Sequence, residues 1–255
     1  MSIEDRDFEN IVEERINDKI FEFNVGTLCF CAGYRCAFAD DKEDCERLFP
    51  DDDGDIYHIE SMNPEDGRFN KNLTREGYND VSNLILLCPQ HRRLVDFDLE
   101  YSVKDLYDMR ARRERQTFSR LKTDEGKKFL GELSNVFEKC DFDQLLWRQN
   151  YDYYISSDVD ERMLSGSRDI FSLCQEGRQW DIPEGIVNKL ASFAHDLEEL
   201  REHLRSYGEV KLNGSYIAIA LMKDCDSEEA ETTRQKLAKL RKTYDALRLR
   251  RKDLQ

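Results

Sequence analysis

The stretch Asn83-Leu84-Ile85-Leu86-Leu87-Cys88-Pro89-Gln90-His91 decides how this chain is read. A short apolar run delivers a thiol, a proline that fixes the next turn, and an imidazole three residues after the thiol. Upstream stand two more thiols, Cys36 and Cys45. Three thiolates and one imidazole, arriving in two pairs, are the donor set of a tetrahedral structural zinc site. The first pair encloses Ala37 to Asp44, a longer loop than the two to four residues usual in such sites. A longer ligand loop costs only modest closure entropy. Structural zinc contributes roughly 10–16 kcal/mol of folding free energy, which outweighs that cost.

Between the two pairs, Asp52-Asp53-Gly54 signals a turn, and Asp55 to Ile59 alternates polar and apolar residues as a strand does. His58 falls at the end of that strand. Imidazole has the pKa range of a general base near neutral pH. Asn83, on the approach to the second ligand pair, offers an amide to hold the base or its loop in place. Thr74 can cap a short helical turn with Glu76 and Tyr78.

The wider composition sets bounds. The 255 residues carry 39% hydrophobic and 36% charged side chains, with a formal net charge of −15. A free-standing nucleic-acid binder usually has a net basic footprint, and this chain lacks one. Its charge is uneven, however. Residues 40–55 hold nine acids against Lys42 and Arg47, whereas residues 102–122 hold seven bases against three acids. Residues 232–255 hold nine bases against Asp245 and Asp253. Local basic faces on an acidic protein suit nucleic acid held at chosen sites, or a charged protein partner. No apolar run has the length of a membrane span. The N-terminus, Met-Ser-Ile-Glu-Asp-Arg-Asp, has no apolar signal segment, so a cytoplasmic location is expected. Cysteines there act as metal ligands or free thiols rather than a disulfide frame. Cys29, Cys31, Cys140, Cys174 and Cys225 read as core or surface thiols.

The expected fold class is α+β. Residues 1–22 have helical spacing of apolar positions, and 24–36 form a helix or turn leading into the metal knuckle. Residues 103–121 predict a helix with Leu106, Met109 and Phe118 inside and arginines outside. A break near Thr123-Asp124-Glu125-Gly126 divides a first domain, residues 1–123, from a second, 124–255. The second is mainly helical. Ile186, Leu190, Phe193, Leu197, Leu200 and Leu204 form one stripe of an amphipathic helix. Asn213-Gly214 between β-branched runs signals a hairpin. A last basic helix covers 228–252, with Leu237, Leu240, Tyr244 and Leu247 on one face. It suits a protein contact better than DNA.

Segment 28–115 resembles the HNH endonuclease superfamily, in its zinc-knuckle branch from bacterial anti-phage systems. The residues that carry the likeness are Ala32-Gly33-Tyr34-Arg35-Cys36, Cys45, Gly54 to His58-Ile59, Leu73-Thr74, Asn83 to His91, Asp96, Tyr101, and Leu106 with Met109. The resemblance implies a small ββα-metal module with a structural zinc, here followed by the helical region. It implies an endonuclease subunit that cleaves phosphodiester bonds of DNA, with His58 as the base and Asn83 as its support. It implies a catalytic magnesium or manganese ion, and a partner ATPase or sensor that restrains or delivers the nuclease. The region after about residue 125 would be the docking module.

The chain departs from the family pattern at the catalytic ion. Relatives carry a second histidine where this chain has Arg92, and an acidic residue where it has Tyr57. Arginine stays protonated and ligates no metal. Three readings remain open. Asp96, Asp55 or Glu60 supplies oxygen ligands; Arg92 itself contacts the phosphate; or the site is catalytically weak or dead, and the protein is a zinc-stapled adaptor or inhibitor. Arg110 and Arg113, on the helix after the motif, are further candidates for phosphate contacts.

Overall fold

The computed structural model describes residues 24–40, 42–49, 54–97, 101–142, 154–155, 157–206, 208–210, 216–218 and 228–254. The expected helix over residues 1–22, the Asn213-Gly214 turn and Cys225 lie outside them. The fold is α+β and mainly helical. The chain divides into two compact units, Met1–Phe118 and Ser119–Gln255. Among the described residues no helix is long and apolar enough to cross a membrane.

The first unit is built around a strand of four consecutive apolar residues. Helix α1 (24–31) ends at Gly33, whose φ of 61° takes the left-handed conformation that glycine reaches without Cβ strain. The chain then folds back on itself as a hairpin-like loop, with Arg35 bridged to Leu48 and Ala39 to Asp44. The backbone amide of Cys36 donates to Arg47 O, and that of Cys45 to Phe38 O. Strand β1 (Asp55–His58) pairs antiparallel with β2 (Leu84–Leu87), Asp55 opposite Leu87 and His58 opposite Leu84. On its other side β2 accepts a bond from Ala37 N at Leu86 O. Every residue of β2 is buried, which explains an unbroken apolar run where a half-exposed strand would alternate.

Three helices complete this unit. Thr74 caps α2 (Arg75–Asn79), its hydroxyl accepting from Gly77 N. A single 3₁₀ turn (Val81–Asn83) leads into β2. Helix α3 (Pro89–Phe97) starts at Pro89, a residue preorganised for a first helical turn. Helix α4 (Val103–Leu121) spans the predicted segment, and the division between the units falls within it. Two expectations for α4 are corrected: Phe118, expected inside, is only half-buried, and an arginine turns inward. Its inner stripe is Leu106, Met109, Arg113 and Thr117, all buried, so Arg113 points inward rather than out.

The second unit is a helical assembly with a small sheet. Helix α5 (Asp124–Cys140) is capped by Thr123, whose hydroxyl accepts from Gly126 N. Helix α6 (Ser157–Gln179) packs against α5 and α7 (Glu184–Ser206), and α7 also packs against α8 (Glu228–Leu254). The whole predicted stripe of α7, from Ile186 to Leu204, is buried. Phe137, Phe142, Phe193 and Tyr244 form an aromatic cluster, with Phe137 and Tyr244 centroids 5.0 Å apart. The lysines of α8 partly serve α7: Lys236 bonds Glu199 at 2.9 Å and Lys239 bonds Asp196 at 2.8 Å. Strands β4 (Gly208–Val210) and β5 (Tyr216–Ala218) pair antiparallel, and β3 (Tyr154–Ile155) adds to β5's free edge.

Gly126 sits where the chain turns from α4 into α5. A Cβ there would stand 2.5 Å from Arg120 O and 2.6 Å from Leu121 O, both backbone atoms that cannot swing away. Gly126→Ala is expected to destabilise the second unit by about 1–3 kcal/mol. Urea unfolding followed by circular dichroism measures this; an unchanged midpoint would contradict the packing described.

Candidate metal centre and adjoining cleft

Cys36, Cys45, Cys88 and His91 are all buried, and their ligand atoms lie within 4.8 Å of one another. Cys88 Sγ is 3.2 Å from His91 Nδ1, and Cys36 Sγ is 3.6 Å from the same nitrogen. Tetrahedral zinc with ordinary bond lengths needs ligand atoms about 3.6 Å apart. The cluster can therefore hold a metal such as zinc. The long first loop is also explained. Cys36 and Cys45 lie on opposite arms of the hairpin-like loop, so eight intervening residues bring the two sulfurs together.

The surroundings suit thiolates only when a cation is present. Burial pushes both Cys36 and Cys45 above the ordinary thiol range; the charge of Cys88 pushes both the same way, while a bond from Cys36 opposes it at Cys45. Backbone amides oppose this: those of Phe38 and Cys88 act on Cys36, the latter donating to Cys36 Sγ at 3.2 Å, and that of Arg47 acts on Cys45. The imidazole of His91 is fixed from three sides. Its Nδ1 faces the sulfurs, its Nε2 is 3.3 Å from Glu43 Oε1, and its ring stacks on Phe38 at 4.1 Å. A carboxylate on the far nitrogen sets the tautomer and orientation of a metal-binding histidine. Glu43 was not singled out in the sequence, because it stood within a run of acids.

Arg113 closes the cluster from behind. Its guanidinium donates to Cys36 O at 3.1 Å, Cys45 O at 2.7 Å and Asp44 Oδ1 at 2.9 Å. Arg110 is similarly engaged, donating to Val81 O and Ser82 O at 2.6 Å and to Glu114 at 2.9 Å. Both residues, expected at phosphates, hold the module's own backbone carbonyls instead. The helical spacing of Arg113 from Leu106 and Met109 was the available signal.

His58 lies in a separate place, on the wall of a cleft of about 870 Å³. Tyr78 stacks on its ring at 3.8 Å, and its Nε2 is 3.3 Å from Asn79 Oδ1. Burial lowers its pKa from the usual 6.5, and the Asn79 bond opposes this in part. Asn83 holds the loop of the candidate base through its amide. Its amide accepts from Glu60 N at 2.8 Å and donates to Glu60 O and Tyr78 O at 3.1 Å. Asn83 thus ties the chain just after His58 to the residue stacked on it. Nothing in sequence spacing distinguished Asn79 or Tyr78 for this role.

The cleft also contains Tyr57, Asp66, Arg68, Arg92, Asp96, Tyr101 and Lys104. Arg92 lies 3.3 Å from Asp55 Oδ1 and 3.8 Å from Asp96 Oδ2. Two carboxylates considered as cation ligands are therefore paired with a guanidinium. The third, Glu60, accepts a bond from Asn70 Nδ2 at 2.9 Å. Among the described residues no second cluster gathers three metal-binding side chains. The donor set does not fit the expected catalytic magnesium or manganese ion.

No family model matches the chain, and no curated protein or solved structure is similar to it.

Two outcomes follow. Cys88→Ser is expected to abolish stoichiometric zinc, read by elemental analysis, and to unfold the first unit, read by circular dichroism; a folded, metal-free variant would exclude a structural metal. His58 is expected to titrate below pH 6.5 by imidazole NMR shifts in the folded protein. Because its folded pKa is depressed, its stability contribution is present above the unfolded value and is lost as pH falls through the folded one.

Proposed function

We propose that the first unit is an HNH-type endonuclease module that hydrolyses phosphodiester bonds of DNA. The observation that carries this reading is the half-buried His58 at the end of β1, its pKa lowered, on a cleft that also contains Arg68, Arg92 and Lys104. The order of hairpin strand, buried strand and helix beside a Cys₃His cluster supports it, as does the run of motif residues from Ala32 to Asp96.

In this reading His58 takes a proton from water beside the scissile phosphate. Its neutral form persists at neutral pH because burial disfavours imidazolium. Tyr78 and Asn79 fix the ring, and Asn83 fixes the loop behind it. Charge developing on the phosphoryl oxygens is met by guanidinium, which recognises phosphate in bidentate fashion. A role in anti-phage defence, beside an ATPase or sensor that docks on the region after about residue 125, rests on the resemblance alone.

A second reading is favoured by Arg92. Its pairing with Asp55 and Asp96 supports a zinc-stapled scaffold without catalysis, acting as adaptor or inhibitor through protein contacts. One experiment separates the two. Purified protein and His58→Ala are incubated with supercoiled plasmid, with and without added Mg²⁺ or Mn²⁺. Nicking by the parent and a loss of roughly 100-fold or more in the variant is the expected outcome for a general base. An inactive parent that Arg92→His renders active would assign the silence to that one residue. Parent and Arg92→His both inactive would sink the nuclease reading.

A further inference from the structure

Arginines that only hold this unit together are well supplied with acceptors. Arg113 has two carbonyls and a carboxylate within hydrogen-bond distance, and Arg110 has two carbonyls and a carboxylate. Arg68 is different. Its side chain is 15% exposed, so it has lost most of its water. Its guanidinium lies over the ring of Tyr57, 4.7 Å from the centroid, and its Nη2 donates to the Tyr57 hydroxyl. Asp66 is 3.8 Å from Nε, beyond hydrogen-bond distance, and Asp96, which pairs with Arg92, supports its charge only through space. Among the described residues Nη1 has no acceptor, and it is not sealed off from solvent.

A desolvated guanidinium without a bidentate acceptor is costly unless something else supplies the oxygens. Here the group lines the same cleft as His58. Tyr57, on which it rests, is next to His58 in β1. Stacking and the phenol bond hold the planar fork in one orientation, which reduces the ordering cost of binding. Arg92 and Lys104 line the cleft as well, but each is paired with carboxylates: Arg92 with Asp55 and Asp96, Lys104 with Asp108. The local loop is built to present Arg68: Asp66 caps the turn by accepting Arg68 N at 2.9 Å, and Ser61 N donates to Arg68 O at 3.0 Å.

We propose that Arg68 is the phosphate-binding residue of the cleft, its open edge taking two oxygens of a polynucleotide phosphodiester beside His58. This deepens the nuclease reading by naming a substrate contact outside the motif residues, yet it concerns binding and holds whether or not the bond is cut. Lysine, a point charge that cannot stack or fork, replaces it incompletely.

The test uses the full-length chain carrying His58→Ala, so that binding is read without cleavage. Fluorescence anisotropy follows a labelled DNA duplex, and the same sequence as RNA, across a range of salt. Adding Arg68→Gln is expected to weaken binding about tenfold or more. It is also expected to reduce the slope of log K against log salt by about one. Arg68→Lys should keep the slope and recover affinity only in part. Arg112→Gln, altering an exposed arginine paired with Asp44 outside the cleft, should change affinity less than Arg68→Gln. Elemental zinc and circular dichroism report folding of each variant. If Arg68→Gln does not fold, Arg68→Lys decides, and full affinity there overturns the proposal. Unchanged affinity and slope in a folded Arg68→Gln overturns it too, as does absence of binding to either polymer. Arg68-dependent binding by a parent that nicks no plasmid would uphold this inference while the nuclease reading fails.

Discussion

The first unit depends on bringing three thiols and an imidazole to one point. Cys36 and Cys45 come from two arms of a hairpin-like loop, Cys88 from the end of β2, and His91 from the first turn of α3. Each segment alone is short: β1 and β2 have four residues apiece, and α3 has nine. Strands of that length are marginal unless something beyond hydrogen bonding fixes their neighbours. Buried thiols crowded together are unfavourable as charges and wasteful as neutral groups. A bound cation turns the same crowding into a cross-link between segments far apart in sequence.

Other charged groups arrange themselves around that cluster. Glu43 orients His91, and Arg113 gathers the carbonyls of two ligand residues. Burial lowers the pKa of Arg113, while Asp44 raises it. A stripe of arginines on a helix after a nuclease-like motif invites a nucleic-acid reading. Here its inward members are structural, and the acidic loop at 40–46 is their counterpart. The excess of acids and the basic helix are thus partly one feature seen from two sides.

The cleft on β1 has the opposite character. Its carboxylates Asp55 and Asp96 are not gathered about an empty centre but paired with Arg92, and burial lowers the pKa of His58 although the Asn79 bond opposes this in part. A guanidinium carries fixed charge and directional donors, but no exchangeable coordination site. The cleft mixes cations with carboxylates, and Arg68 has fewer hydrogen-bonded acceptors than Arg110 or Arg113.

The sequence determined the four residues of the candidate metal cluster, because zinc chemistry restricts donors to a few residue types at short separations. It also determined β1, α4 and the apolar stripe of α7 through local periodicity, and the Thr74 cap through its hydroxyl just ahead of a helical turn. Cys36 and Cys45 are separated by a longer loop than usual, and the hairpin-like loop explains it by placing them on facing arms. The inward turn of Arg113 was present in its spacing but masked by charge. Glu43, Asn79 and Arg68 carried no local signal, and the addition of β3 to β5 joins residues far apart in the chain. Only tertiary structure decided these, because a side chain's partner is set by what the rest of the fold brings within a few ångströms, which no local pattern encodes.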